Sequence, residues 1–174
     1  MNRILSLPNP ILRKKARALR ELSGETRKLI QQLCDTLHHA DPPGIGLAAT
    51  QIGVAEQVAV IDIGEGLVVL VNPRIIARRG KLISTEGCLS VPGIYADVER
   101  AAWVKVKALN RDGKPIEIEG NDLLARVLQH EIDHLNGTLF IDRVTDWQSM
   151  EVLDGYSIPP AVEALRKKHA NTSV

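Results

Sequence analysis

His130, Glu131 and His134 stand in the segment HEIDH, two imidazoles four residues apart with a carboxylate beside the first. On a helix this spacing brings both rings to one face, about a turn apart, where they can share one metal ion. Two solvated histidines flanking a glutamate would satisfy the same spacing. The surrounding pattern separates the two readings. Leu124, Leu128, Glu131 and Leu135 recur at i, i+4, i+7 and i+11, so Glu131 takes a core-facing position where packing would favour leucine. A carboxylate buried without a partner has its pKa raised toward neutrality, and a proton carrier beside a metal-bound water needs a pKa in that region.

A third ligand must come from elsewhere in the chain. Cys88 is the leading candidate, in EGCLSVPG, a small-residue turn bordered by Gly87 and Pro92. A thiolate and two imidazoles would leave a fourth position for water, the pattern of a catalytic rather than a structural site. The plain alternative for Cys88 is an ordinary buried cysteine, and Cys34 is read that way. Residues 44–53, GIGLAATQIG, place glycines and alanines around one long polar side chain, Gln51, and such a segment lets backbone approach a ligand closely. It is not a phosphate loop: no GK[ST] follows, and the third glycine falls outside GxGxxG spacing.

These residues need elements to position them. The best helix starts at Asn121 as N-cap, carries Asp122 in its first turn, ends at Gly137 and bears HEIDH. Another runs from Gly24 through ETRKLIQQLCDTLHHA, with Leu29, Ile30, Leu33 and Leu37 at helical spacing, until Asp41, Pro42 and Pro43 stop it. Its buried edge should take in Cys34 and one of His38 or His39. QVAVIDI and LVVLVN, joined through Gly64, Glu65 and Gly66, read as a hairpin. Residues 103–109 and Ile116 to Ile118, joined by NRDGK, read as a second. Residues 4–22 read as an irregular arm with one helical turn, and the chain after Trp147 passes Gly155, Pro159 and Pro160 into a Lys-rich helical pattern.

The chain has 174 residues, the length of one domain with a single core. With 22 Lys plus Arg against 21 Asp plus Glu, its charge of +1 gives no net attraction to nucleic acid or acidic lipid. Two cysteines are too few for a disulfide framework, and the N-terminus lacks the long apolar stretch of a signal peptide, so a cytoplasmic protein is expected.

The segments GIGLAATQ, EGCLS and HEIDH, in this order and separation, resemble the three signature motifs of peptide deformylase, and the likeness runs over roughly residues 4–147. The resemblance implies one domain over 1–174, with 148–174 a variable C-terminal tail. It implies an α+β fold in which antiparallel or mixed sheets surround a central HExxH helix, with an N-terminal helix and a helical tail. The implied reaction removes the formyl group from the N-terminal formylmethionine of new polypeptides. One divalent ion would be held by Cys88, His130 and His134, Fe(II) natively, with Zn(II), Ni(II) or Co(II) as substitutes. Such coordination lowers the pKa of water from 15.7 to about 7, supplying hydroxide for the attack. Glu131 would be general base and acid, and Gln51 with the Leu89 backbone N–H would stabilise the oxyanion. Ile45 and Gly46 would pair their backbone with an extended substrate, beside Gly87 and Tyr95; some members carry arginine where Tyr95 stands. Ile45, Leu123 and Val127 are expected to hold the methionine side chain. Glu86 and Arg100 are a candidate ion pair positioning the Cys88 loop. The partners implied are nascent N-formylmethionyl chains and the ribosome near its exit tunnel, with no membrane and no sequence-specific nucleic acid. Two rivals remain: an HExxH metalloprotease, although nothing after His134 offers a further ligand at helical spacing, and an inactive metal-binding or redox-sensing relative.

Overall fold

The computed structural model describes residues 2–170. After an N-terminal arm with one 3-10 turn, Pro10–Arg13, helix α1 spans Gly24–His38. Ser23 caps α1 by accepting from the Thr26 N–H at 3.2 Å, and Leu29, Ile30, Leu33, Cys34 and Leu37 are buried along one face. His38 and His39 are both exposed, so the buried edge stops at Leu37, one residue short of the expectation. The strands are β1 (Gly46–Ala48), β2 (Val58–Ile61), β3 (Val68–Arg79), β4 (Leu82–Cys88), β5 (Val91–Arg100), β6 (Trp103–Leu109), β7 (Pro115–Asn121) and β8 (Val144–Val152). Helix α2 (Asp122–Leu135) lies between β7 and β8, and α3 (Pro160–Ala170) comes last.

The strands form two sheets, one ordered β1-β2-β3-β6-β7 and the other β4-β5-β8. Both hairpins expected from sequence form, as β2–β3 and β6–β7. All sheet pairings are antiparallel; among the described residues the parallel contact is an isolated bridge between Arg17 and Glu56, so mixed sheets are not found. Short connections account for this in β2–β3, β4–β5 and β6–β7, since a parallel pair requires a long crossover. Strand β3 continues past Pro73, where LVVLVN was expected to end, because the register shifts between Val71 and Arg74 and so spares the proline a ladder bond. EGCLSVPG, expected as a turn, is strand on either side of a reversal at Leu89 and Ser90, with Cys88 ending β4 and Val91 starting β5. Residues 148–152 belong to β8, where Val152 pairs with Ile94 and Glu151 with Tyr95, so a tail beginning at 148 would cut a paired strand. Residues 171–174 of that tail lie outside the described residues.

Helix α2 is seated between the sheets. It follows β7 without a loop, and Gly120 lets the two approach: a Cβ there would stand 2.9 Å from Leu128 Cδ1. Toward the five-stranded sheet, Ala125, Leu128 and Ile132 share a buried apolar cluster with Ile61, Leu70, Val104 and Val106. A second cluster joins α1 to β1, β2 and β3 through Leu33, Leu37, Leu47, Val60 and Val71. A third fills the space beneath β5 with Ile94, Ala96, Val98, Phe140 and Ile141.

Candidate metal centre

Two elements bring the three ligand candidates together. Cys88 is the last residue of β4, and His130 and His134 sit one turn apart on α2. Their donor atoms all lie within 4.8 Å of one another, with Cys88 Sγ 3.2 Å from His134 Nε2 and the two rings 5.0 Å apart between centroids. Soft sulfur and two imidazole nitrogens at that separation suit a single transition-metal ion. His134 is buried, and desolvation pushes its pKa well below the usual imidazole value, which keeps the ring in the neutral form that ligates. Burial acts the same way on His130, but hydrogen bonds to Cys88 and Glu86 outweigh it and raise that ring to about 10. The surroundings therefore favour positive charge at this point, whether a proton or a metal cation supplies it.

A chain of charged groups holds His130. Its Nδ1 lies 2.9 Å from Glu86 Oε2 on β4. Arg100 at the end of β5 grips both oxygens of Glu86, and its Nη1 donates to Asp133 Oδ2 at 2.7 Å. Arg143 donates to Asp133 from the far side. Glu86 and Arg100 side chains are almost fully buried. Desolvation raises the Glu86 carboxyl, yet the Arg100 and His130 hydrogen bonds more than reverse this and leave it at about 2. A carboxylate on the outer nitrogen of a ligating histidine fixes tautomer and ring orientation. The expected Glu86–Arg100 pair is present, but its reach is longer than expected: it runs through His130 to the ligand cluster and through Asp133 back to α2.

Glu131 points into the same space. It is buried, its Oε2 makes no hydrogen bond, and desolvation raises its carboxyl to about 7. Room for that carboxylate depends on Gly46 of β1, where a Cβ would lie 2.4 Å from Glu131 Oε1. Gln51 is oriented by the backbone three residues before it: the Ala48 N–H donates to Oε1 at 2.8 Å, which turns the amide nitrogen toward Ser90 Oγ at 3.1 Å and Cys88 Sγ at 3.7 Å. The Leu89 N–H lies in the reversal between β4 and β5, outside their ladder.

These groups stand in a cleft of about 780 Å³. Ile45, Gly46, Gln51, Gly87, Cys88, Leu89, Tyr95, Val127, His130 and Glu131 all line it. Tyr95 lies over Gly87, where a Cβ would stand 2.4 Å from its ring. Leu123 shares the helical face of Val127, sits a turn nearer the helix start and is 38% exposed. Arg126 was not anticipated from sequence; it lines the cleft and donates to the Thr85 carbonyl at 3.1 Å. Asp133 and Arg143 were also missed, although β5 carried a signal. Ile94, Ala96, Val98 and Arg100 alternate inward, so the period that buries three apolar residues also buries an arginine, which then requires buried carboxylates.

Both sheets offer an edge to the cleft. Strand β1 ends the five-stranded order and β4 ends the three-stranded one, and both contribute lining residues. An extended peptide can add to such edges by main-chain hydrogen bonds.

A sequence profile of the polypeptide deformylase family matches residues 1–150. The peptide deformylase of Alkaliphilus metalliredigens is 51% identical over 136 residues, covering 78% of this chain and 91% of its own length. Among solved structures, the peptide deformylase of Legionella pneumophila superposes with a TM-score of 0.81 at 41% identity, covering 100% of this chain and 99% of its own. That of Synechococcus elongatus, in complex with actinonin, also reaches 0.81, at 36% identity, covering 97% and 86%.

Proposed function

Because the chain belongs to the polypeptide deformylase family, it is a metal-dependent enzyme acting on formylated peptides, and we propose that its cleft removes the formyl group from N-terminal formylmethionine. Cys88, His130 and His134 hold the ion, with Fe(II) as the native metal and Zn(II), Ni(II) or Co(II) as substitutes, all of which tolerate one thiolate and two imidazoles. When bound, such an ion supplies Lewis acidity, polarising a carbonyl oxygen and lowering the pKa of water to about 7.

The single observation that carries this reading is the buried Glu131 carboxylate, whose Oε2 has no hydrogen-bond partner, beside the three donors. With its pKa near neutrality it takes a proton from water during attack on the formyl carbon and delivers it to the departing amine. Gln51 and the Leu89 N–H donate to the oxygen that gains negative charge. Ile45 and Gly46 on one edge and Gly87 on the other pair with the extended substrate, while Val127 and Ile45 border the methionine side chain and Tyr95 borders the next substrate residue. The partners are nascent formylated chains in the cytoplasm, met at the ribosome near the exit tunnel. The balanced charge and the lack of a helix long and apolar enough to cross a membrane, among the described residues, are compatible with that setting.

Anaerobic purification, elemental analysis and turnover of formyl-Met-Ala-Ser test the proposal. The native protein is expected to carry about one ion per chain and to lose activity in air. Gln51→Leu is expected to keep the ion while turning over roughly 100-fold to 1,000-fold more slowly. A Gln51→Leu protein with native turnover would remove Gln51 from the mechanism.

A further inference from the structure

The cleft extends beyond what a formylmethionine needs, and part of its wall comes from a segment past residue 150, where the family match ends. Leu153 and Tyr156 come directly after β8 and line the cleft. The segment is tied down. The Leu153 N–H donates to the Gly93 carbonyl at 2.9 Å, and the Tyr156 N–H donates to the Leu153 carbonyl at 3.1 Å, closing a turn through Asp154 and Gly155.

Gly93 makes room for that turn. Its φ is +75°, and a Cβ on it would stand 2.1 Å from Tyr156 Cγ, so the tyrosine ring occupies the space a side chain at position 93 would take. Leu153 and Tyr156 are nonetheless each 47% exposed, which leaves two large apolar side chains uncovered on the wall of a cleft. The metal ligands and Glu131 take the formyl end and Val127 the methionine. The apolar turn is left for the substrate residues beyond the methionine.

We propose that Leu153 and Tyr156 form an apolar subsite for a side chain downstream of the formylmethionine, so that this enzyme favours substrates with a large apolar residue there. The proposal rests on the deformylase reading of the cleft. Gly93 and the turn act as a pair: glycine vacates the wall of β5, and the segment after β8 replaces it with leucine and tyrosine. Burying the exposed half of those side chains against a substrate would favour binding without touching the reacting bond, so the effect should fall on KM rather than kcat.

The test compares kcat/KM for formyl-Met-Leu-Phe and formyl-Met-Ala-Ser in the metal-loaded native protein, Leu153→Ser, Tyr156→Ser and Tyr156→Phe. The ratio of the first substrate to the second is expected to fall about fivefold to tenfold in each serine variant, through KM. Tyr156→Phe should hold the native ratio within about twofold, since it keeps the ring. An unchanged ratio in both serine variants, or an equal loss on both substrates, overturns the subsite while leaving the deformylase reading standing. A native protein that deformylates neither peptide overturns both.

Discussion

Toward the five-stranded sheet α2 presents Ala125, Leu128 and Ile132 to Ile61, Leu70, Val104 and Val106, whereas toward the three-stranded sheet it presents His130 and Asp133 to Glu86 and Arg100. The two contacts hold the same helix by different physics. Apolar burial is non-directional and scales with area, so it fixes where the helix lies but tolerates small rotations of its side chains. Charged hydrogen bonds demand particular distances and angles, and here they fix the His130 ring. Buried ion pairs repay little more than their own desolvation, so the ionic side adds little net stability. Its contribution is placement. Metal-ligand geometry needs that placement, and an apolar contact could not supply it.

Removing the centre of the ionic side should have the largest effect. Arg100→Ala leaves Glu86 buried with its main counter-charge gone and takes one of two arginines from Asp133, and the expected destabilisation is about 3–5 kcal/mol. Urea unfolding would measure it. Metal content, followed in the folded fraction, should fall as well, because Glu86 no longer holds His130 in one orientation. Full metal occupancy in Arg100→Ala would mean that α2 alone positions its histidines. On the apolar side, Leu128→Ala opens a cavity beside Val104 and Val106 and should cost about 2–5 kcal/mol, a comparable loss of stability. Its metal stoichiometry below the unfolding transition should stay native. If Leu128→Ala lost metal as readily as Arg100→Ala, the division between locating and orienting contacts would fail.

The apolar side was legible in the sequence because it is periodic. Leu124, Leu128 and Leu135 announce a helix face, Glu131 interrupts it, and the strand runs around Gly64 and Asp112 announce their hairpins. The ionic side is built differently. Asp133 occupies an unremarkable place within HEIDH, and its partners lie 33 and 10 residues away on other elements, so no local pattern joins them. Strands β4 and β8 escaped notice because their inward positions are few and much of their length is exposed, leaving no clear alternation. Leu123, which helical phase groups with Val127, is 38% exposed, because phase fixes a helix face but not where along the helix its neighbours cover that face. The turn at Leu153 and Tyr156 became visible only once β8 had carried it back to Gly93.

Arg143 offers the smallest and sharpest probe of the ionic side. It completes Asp133 from outside, with 45% of its side chain exposed, so water screens its charge in a way that it cannot screen Arg100. Arg143→Ala should therefore cost no more than about 1 kcal/mol in urea unfolding. Asp133 would still be held by Arg100, and Glu86 would still hold His130, so metal content should stay native. The two arginines contact the same carboxylate, but Arg100 is buried and also grips Glu86, so the contrast weighs the desolvated Arg100–Glu86 pairing against the charge on Asp133 alone. If Arg143→Ala cost as much as Arg100→Ala, the decisive quantity would be the charge on Asp133 rather than the desolvated pairing of Arg100 with Glu86.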